Sequence, residues 1–294
     1  MARLTFIGLP LCTRANNSGM AAAVRTLREA GIVIRLQEHS NSLIDVGDVP
    51  LSEIRKDSGP KNLANFDQFL QDTEGVQSAI NGANAEGLIF GLGGECSICV
   101  GTLAGLKNRI RGELGIVWID AHGDFNTPET TPSGYIGGMC LAMACGRGPK
   151  LNQIIREGDH LLSEENIVHL GGRSLDPAES ESMSSSPMKT YPASALRKEG
   201  IASTADLVVR SLADRCDWIV CHLDVDSIDP KIMPAVNFPA QGGLSLEDIT
   251  AVIAAVERTG KMKLFELAGY NPDIDSNRTC AKRLVTLVSG LFAG

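Results

Sequence analysis

The chain has 294 residues, 43% of them hydrophobic and 21% charged, with a formal net charge of −8. Such a composition builds a folded domain with a sizeable core, and its acidic balance argues against nucleic acid or an anionic membrane surface as partner. No apolar run approaches the ~18 residues that cross a bilayer, no signal-peptide pattern opens the chain, and eight dispersed cysteines do not make a secreted disulfide framework, so a cytoplasmic protein is expected.

In chain order, residues 4–8 read as a strand, 18–30 as a helix, 32–36 as a strand and 63–84 as a helix. A strand at 87–92 leads to a helix at 97–111, and strands follow at 115–120, 166–171 and, shorter, 188–191. Between the last two, the Ser-rich stretch 179–187 reads as an exposed loop. A helix at 206–215 precedes a strand at 218–224. The helix at 246–259 opens on the capping box Ser245-Leu-Glu-Asp248, and a strand at 263–267 and a helix at 277–291 complete the chain. Alternating elements of this kind imply a mostly parallel sheet with helices on both faces. No repeat and no linker divides the chain, so residues 1–294 are expected to form one domain.

The polar motifs follow strands. Gly93-Gly94-Glu95-Cys96, Asp120–Asp124, Gly171-Gly172-Arg173, Asp224–Asp226 and the loop at 269–275 all sit past the ends of apolar runs. Ligands of an open parallel sheet bind outside those ends. Trp118-Ile-Asp-Ala-His-Gly-Asp124 and His222-Leu-Asp-Val-Asp226 carry acidic residues at alternate positions, which share a face on a strand. Four carboxylates and one imidazole gathered there repel one another unless cations neutralise them. A metal site is the leading expectation; a solvated strand end is the plainer alternative for Asp224 and Asp226 taken alone.

The segments Gly93-Gly-Glu-Cys-Ser97, residues 120–134, Asp224-Val-Asp-Ser-Ile-Asp-Pro230, Gly242-Gly-Leu244 and Tyr270-Asn-Pro272 resemble the arginase–agmatinase family, the ureohydrolases. The resemblance runs in order over nearly the whole chain. It implies a three-layer α/β/α fold with a sheet of about eight strands, two Mn²⁺ per chain and hydrolysis of a guanidino carbon. Position by position, it assigns one metal to Cys96, Asp120, Asp124 and Asp224, and the other to Asp120, His122, Asp224 and Asp226. It places Asn126, Thr131 and Ser133 on a substrate carboxylate and Asp176 and Glu179 on an α-amino group, so a small-molecule amino acid is the expected substrate. A surface loop is the alternative for the last two. Family members are often homo-oligomers.

Four departures stand out. Cys96 replaces an imidazole ligand; thiolate is the softer donor, less suited to Mn²⁺, and a buried Cys with no metal is the alternative. Gly137 lies where the family has a proton-shuttling His, a loss usually worth ~10²–10⁴ in rate. Gly269 lies where a Glu pairs with the guanidinium, and Phe238 replaces a small polar residue. Asp124 and Tyr135 are the expected catalytic groups, Tyr135 as a new donor to substrate. The thiol ligand together with the missing His resembles the branch that converts Nω-hydroxy-L-arginine to hydroxyurea and ornithine. An inactive relative binding a small amino acid or a partner subunit is the second reading, and ordinary arginase or agmatinase activity the third. Cys96-Ser-Ile-Cys99 has the spacing of a redox pair, but the metal motifs explain Cys96 better. Cys12, Cys140, Cys145, Cys216, Cys221 and Cys280 read as small core residues, His222 as a core histidine, and His160 and His169 as structural or exposed.

Overall fold

The computed structural model describes residues 3–40, 42–83, 87–155 and 159–291. In chain order the elements are β1 (Leu4–Leu9), α1 (Ala23–Glu29), α2 (Ile32–His39), β2 (Leu43–Asp48), α3 (Phe66–Gly82), β3 (Leu88–Gly93), α4 (Ile98–Lys107), β4 (Leu114–Ile119) and α5 (Cys140–Ala144). They continue with β5 (Ile167–Leu170), α6 (Pro177–Ser185), β6 (Lys189–Tyr191), α7 (Ala193–Glu199), α8 (Ile201–Ala213), β7 (Trp218–Asp224), α9 (Leu246–Arg258), β8 (Met262–Ala268) and α10 (Thr279–Leu291). The eight strands form one sheet in the order β2-β1-β3-β8-β7-β4-β5-β6, and all its pairings are parallel.

Leu27, Ile32, Leu212, Val252 and Leu284 bring α1, α2, α8, α9 and α10 onto one face of the sheet. Phe69, Val76, Leu103 and Leu141 bring α3, α4 and α5 onto the other. This is the expected three-layer α/β/α arrangement. The strands read as unbroken apolar runs because both faces are covered: β1 and β4 are buried throughout. The rings of Phe6, Phe90 and Phe265 pack in tilted pairs across β1, β3 and β8, with centroids 5.2 and 5.3 Å apart. The capping box at Ser245 forms as read, with Asp248 N donating to Ser245 Oγ and Ser245 N to the Asp248 carboxylate. Among the described residues, no helix is long and apolar enough to cross a membrane.

Four expectations are corrected. Residues 32–36 are not a strand but the start of α2; Ile32 and Leu36, one turn apart, are buried while Ile34 is 64% exposed, which is helical and not alternate burial. The strand lies in the next segment, β2, an edge strand whose outer positions are exposed. The Ser-rich stretch is not a loop: Asp176 and Glu179 cap α6 reciprocally and Pro177 occupies its first turn, so local capping overrides an exposed, polar composition. Nor is 18–30 one helix, since a 3₁₀ stretch at Ala15–Ala22 leads into α1. The expected helix 63–84 narrows to α3, and position 84 lies outside the described residues.

Candidate metal centre and substrate pocket

The register aligns Leu92 and Leu223 with Leu267, and Ile119 with Leu223 and Leu170, so β3, β8, β7, β4 and β5 end along one rim. The loops leaving that rim carry the polar motifs. Beyond Ile119 the chain leaves the sheet, so Asp120, His122 and Asp124 converge by a tight turn rather than by the strand alternation read from sequence. Asp124 takes a left-handed backbone, φ +50°. Asp120 at the tip of β4 accepts from Trp118 Nε1 at 3.0 Å and from His122 N at 2.7 Å. Asp224 ends β7, and Asp226, in the 3₁₀ turn Val225–Ser227, donates its N–H to Asp224 Oδ1 at 2.7 Å. His169 Nε2 lies 2.6 Å from the His122 carbonyl, and Arg173 donates to the Asp226 carbonyl at 2.7 Å. These two residues, Arg173 named in the sequence only within its rim motif and His169 read there as structural or exposed, brace the loops that carry the candidate ligands.

The ligand atoms form two overlapping groups. Those of Cys96, Asp120 and Asp224 lie within 4.8 Å of one another, as do those of Asp120, His122 and Asp226. Cys96 Sγ is 2.7 Å from Asp224 Oδ2 and 4.0 Å from Asp120 Oδ2. His122 Nδ1 is 3.0 Å from Asp226 Oδ2 and 3.6 Å from Asp120 Oδ1. Asp120 is common to both groups, whereas Asp124 belongs to neither and instead lines the cavity beside them, where Cys140 Sγ donates to it at 3.7 Å.

The protein alone meets this crowding with protons. Burial, reinforced by the surrounding carboxylates, pushes Asp124 and Asp224 well above the usual carboxylate range and the Cys96 thiol well above its own. Asp226 is raised for the same reasons. Burial opposes charge on His122, but the adjacent carboxylates of Asp120 and Asp226 outweigh that and carry it up to about 12. The same contacts override burial at Asp120 and hold it down at about 2. A cluster in which burial and mutual repulsion favour the protonated form of most of the acids is a site where cations fit. The donor set, mainly carboxylate with one imidazole and one thiol, suits a divalent transition metal.

The ligand groups open onto a cavity of about 300 Å³ whose lining also includes Asn126, Thr131, Ser133, Tyr135, Asp176 and Glu179. The structure thus brings the sequence-predicted site residues to one place, and all of them line this cavity except Asp120, which is 1% exposed. Asn126 Nδ2 donates to Asp176 Oδ2 at 3.0 Å, and Thr131 Oγ1 lies 3.5 Å from Ser133 Oγ. Two side chains are engaged differently from the sequence expectation. Glu179 accepts from Phe125 N at 2.9 Å and Asp176 N at 3.1 Å, so its carboxylate braces the loop behind Asp124. The Tyr135 hydroxyl donates to Glu95 Oε2 at 2.9 Å, which spends its proton inside the protein. Glu95, 1% exposed and also held by Ser97 Oγ at 2.7 Å, went unassigned in the sequence; its place beside Cys96 in the motif was the available signal.

Gly137, Phe238 and Gly269 line the same cavity. All eight cysteines are free, Cys99 is buried in α4, and no disulfide joins it to Cys96. His222 is a core residue as read, 2.7 Å from Glu266 and stacked on Trp118 at 3.8 Å.

A family model described as the arginase family matches residues 2–293. The chain belongs to the arginase family. That family consists of metal-dependent amidinohydrolases, in keeping with the buried acidic cluster. An arginase of Staphylococcus aureus (strain MSSA476) is 32% identical over 295 residues, covering 98% of this chain and 96% of that protein. The solved arginase of Bacillus caldovelox superposes with a TM-score of 0.91 at 29% identity, covering 100% of this chain and 99% of that one. The Entamoeba histolytica arginase in complex with L-ornithine also gives 0.91, at 26% identity and 99% coverage of both chains.

Proposed function

We propose that this arginase-family hydrolase cleaves a guanidino C–N bond of an arginine-like amino acid at two Mn²⁺, and that its substrate is Nω-hydroxy-L-arginine, released as hydroxyurea and L-ornithine. The observation that carries this reading is the asymmetry of the cavity. The acidic side keeps His122, Asp124, Asp224 and Asp226 on the cavity, with Asp120 among them, while the other lining residues at the reacting end are Gly137, Phe238 and Gly269. A carboxylate partner for a cationic guanidinium is missing at 269. An N-hydroxyguanidine is less basic than a guanidine and has less need of one.

Two bound Mn²⁺ supply charge neutralisation and a water acidic enough to act as nucleophile at neutral pH. Cys96, Asp120 and Asp224 hold one position, and Asp120, His122 and Asp226 the other. Asn126, Thr131, Ser133 and Asp176 would hold the amino-acid end and so orient the guanidino carbon, a positioning contribution. Asp124, which neighbouring cations would hold in its ionised form, would accept a proton from the attacking water and return it to the departing ornithine nitrogen as the C–N bond breaks. Ordinary arginine hydrolysis is the second reading, favoured by relatives named arginase at 30–32% identity.

The test is to load the chain with Mn²⁺ under reducing conditions and identify products from both amino acids by mass spectrometry. Hydroxyurea and ornithine formed faster than urea from arginine is the expected result. Faster urea formation selects the second reading, and no product from either selects the binding protein.

A further inference from the structure

The bare backbone at Gly137 has a physical cause in the structure. A Cβ built on Gly137 meets Tyr135 Cζ at 2.4 Å, Cε1 at 2.5 Å and Oη at 2.7 Å. Separations below 3.0 Å are not tolerated by real Cβ atoms, so the phenol ring stands in the volume that any side chain at 137 would need. The ring has little freedom to yield. Its hydroxyl is tied to Glu95, which is buried and held from its other oxygen by Ser97. Moving the ring leaves a buried carboxyl oxygen without its partner, which is more costly than the bond itself is worth. The loop beneath it is held by Ser133 Oγ accepting from Tyr135 N at 3.2 Å and by Gly138 N donating to the Tyr135 carbonyl at 3.2 Å.

The wall continues beyond Tyr135. Phe238 lies 5.5 Å from the Tyr135 ring and meets His122 edge-on at 6.2 Å. At Gly269, where φ is +85°, a Cβ comes within 2.2 Å of Asp224 Oδ1. A side chain there collides with the metal-ligand cluster as the backbone stands. The absences at 137 and 269 are therefore steric consequences of what surrounds them, and at 137 the surrounding group is Tyr135.

We propose that Tyr135 is the specificity-determining residue of the reacting end: its ring, seated on Gly137 and pinned through Glu95, closes the cavity with a flat, uncharged wall before the guanidino group. This rests on the guanidino-hydrolase reading above and deepens it. Positions 135 and 137 form one exchange unit, in which a large ring at the first requires no side chain at the second.

A four-protein cycle tests it: the unaltered chain, Gly137→Ala, Tyr135→Ala and the double variant, all Mn²⁺-loaded. Gly137→Ala should lower the unfolding midpoint by roughly 3–8 °C in the unaltered chain and by under about 2 °C once Tyr135→Ala has opened the space. Discrimination between Nω-hydroxy-L-arginine and L-arginine is read in parallel, as kcat/KM for turnover or as Kd for a substrate that is bound without turnover. Tyr135→Ala should shrink that ratio about tenfold or more, and Tyr135→Phe, which keeps the ring, should retain most of it. Equal midpoint losses in both backgrounds would overturn the seating of Tyr135 on Gly137. An unchanged ratio in Tyr135→Ala would overturn its role in specificity. The midpoint cycle and the binding ratio need no catalysis, so a failure of the hydrolase reading remains separable from a failure here.

Discussion

The two sides of the cavity follow opposite rules. On one side, Asp120, His122, Asp224 and Asp226 crowd charge into a buried space and hold it with hydrogen bonds from the loops themselves. On the other, Tyr135 and Phe238 present rings, and Gly137 and Gly269 present backbone. The charged side tolerates little change because each group is a partner of the next. The uncharged side can be remodelled, since replacing a polar group by a ring leaves no orphaned charge behind.

The comparison is broken most severely at the carboxylate both ligand groups share. Asp120→Asn should abolish metal retention at both positions and cut turnover on the order of 10³-fold or more; elemental analysis and initial rates check it, and a variant that keeps both metals would show that Asp120 is not shared.

Next in size is the pH response of the charged side. Asp124, Asp224 and His122 are all raised in the metal-free fold, His122 up to about 12. Groups that bind protons more tightly folded than unfolded stabilise the fold at low pH and lose that contribution as pH rises toward their folded values. The metal-free protein should therefore lose stability as pH rises, from the carboxylates above their ordinary range and from His122 between about 6.5 and about 12. Bound Mn²⁺, which competes with those protons, should reverse the trend, because its affinity rises as they leave. Melting curves with and without metal decide this; parallel trends would contradict it.

Cys96→His exchanges the soft donor for an imidazole and should tighten Mn²⁺ binding about tenfold. A metal titration that shows no change would place Cys96 outside the ligand set. The smallest effect is a control remote from the cavity. Ser245→Ala removes the cap of α9 at a cost of about 1 kcal/mol, a shift of roughly 2–4 °C, with the substrate preference unchanged.

Much of this was legible in the sequence. Buried parallel strands read as continuous apolar runs, and the acidic motifs past their ends located the rim. Two segments misled for identifiable reasons. Ile32-Val-Ile looks β-branched and strand-like, and only the burial of Ile32 with Leu36 reveals the helix. The edge strand β2, with Asp45, Gly47 and Asp48, lacks the apolar run of a central strand. Within the site, which residues gather at the rim followed from residue type and order, but orientation did not. Whether Glu179 faces a substrate amine or the Phe125 amide, and whether Tyr135 donates outward or to Glu95, depends on partners 54 and 40 residues away in the chain. No local pattern encodes the choice at Tyr135, whereas the capping-box spacing of Asp176 and Glu179 is a local sign that the Glu179 carboxylate turns to the backbone.

The metal content per chain, measured by elemental analysis on protein produced with added Mn²⁺ under reducing conditions, tests the charged side most directly. About two manganese per chain is the expected value, with Cys96 serving as a ligand. Protein that folds normally and retains no metal would contradict the metal centre, and with it the hydrolysis proposed for this cavity.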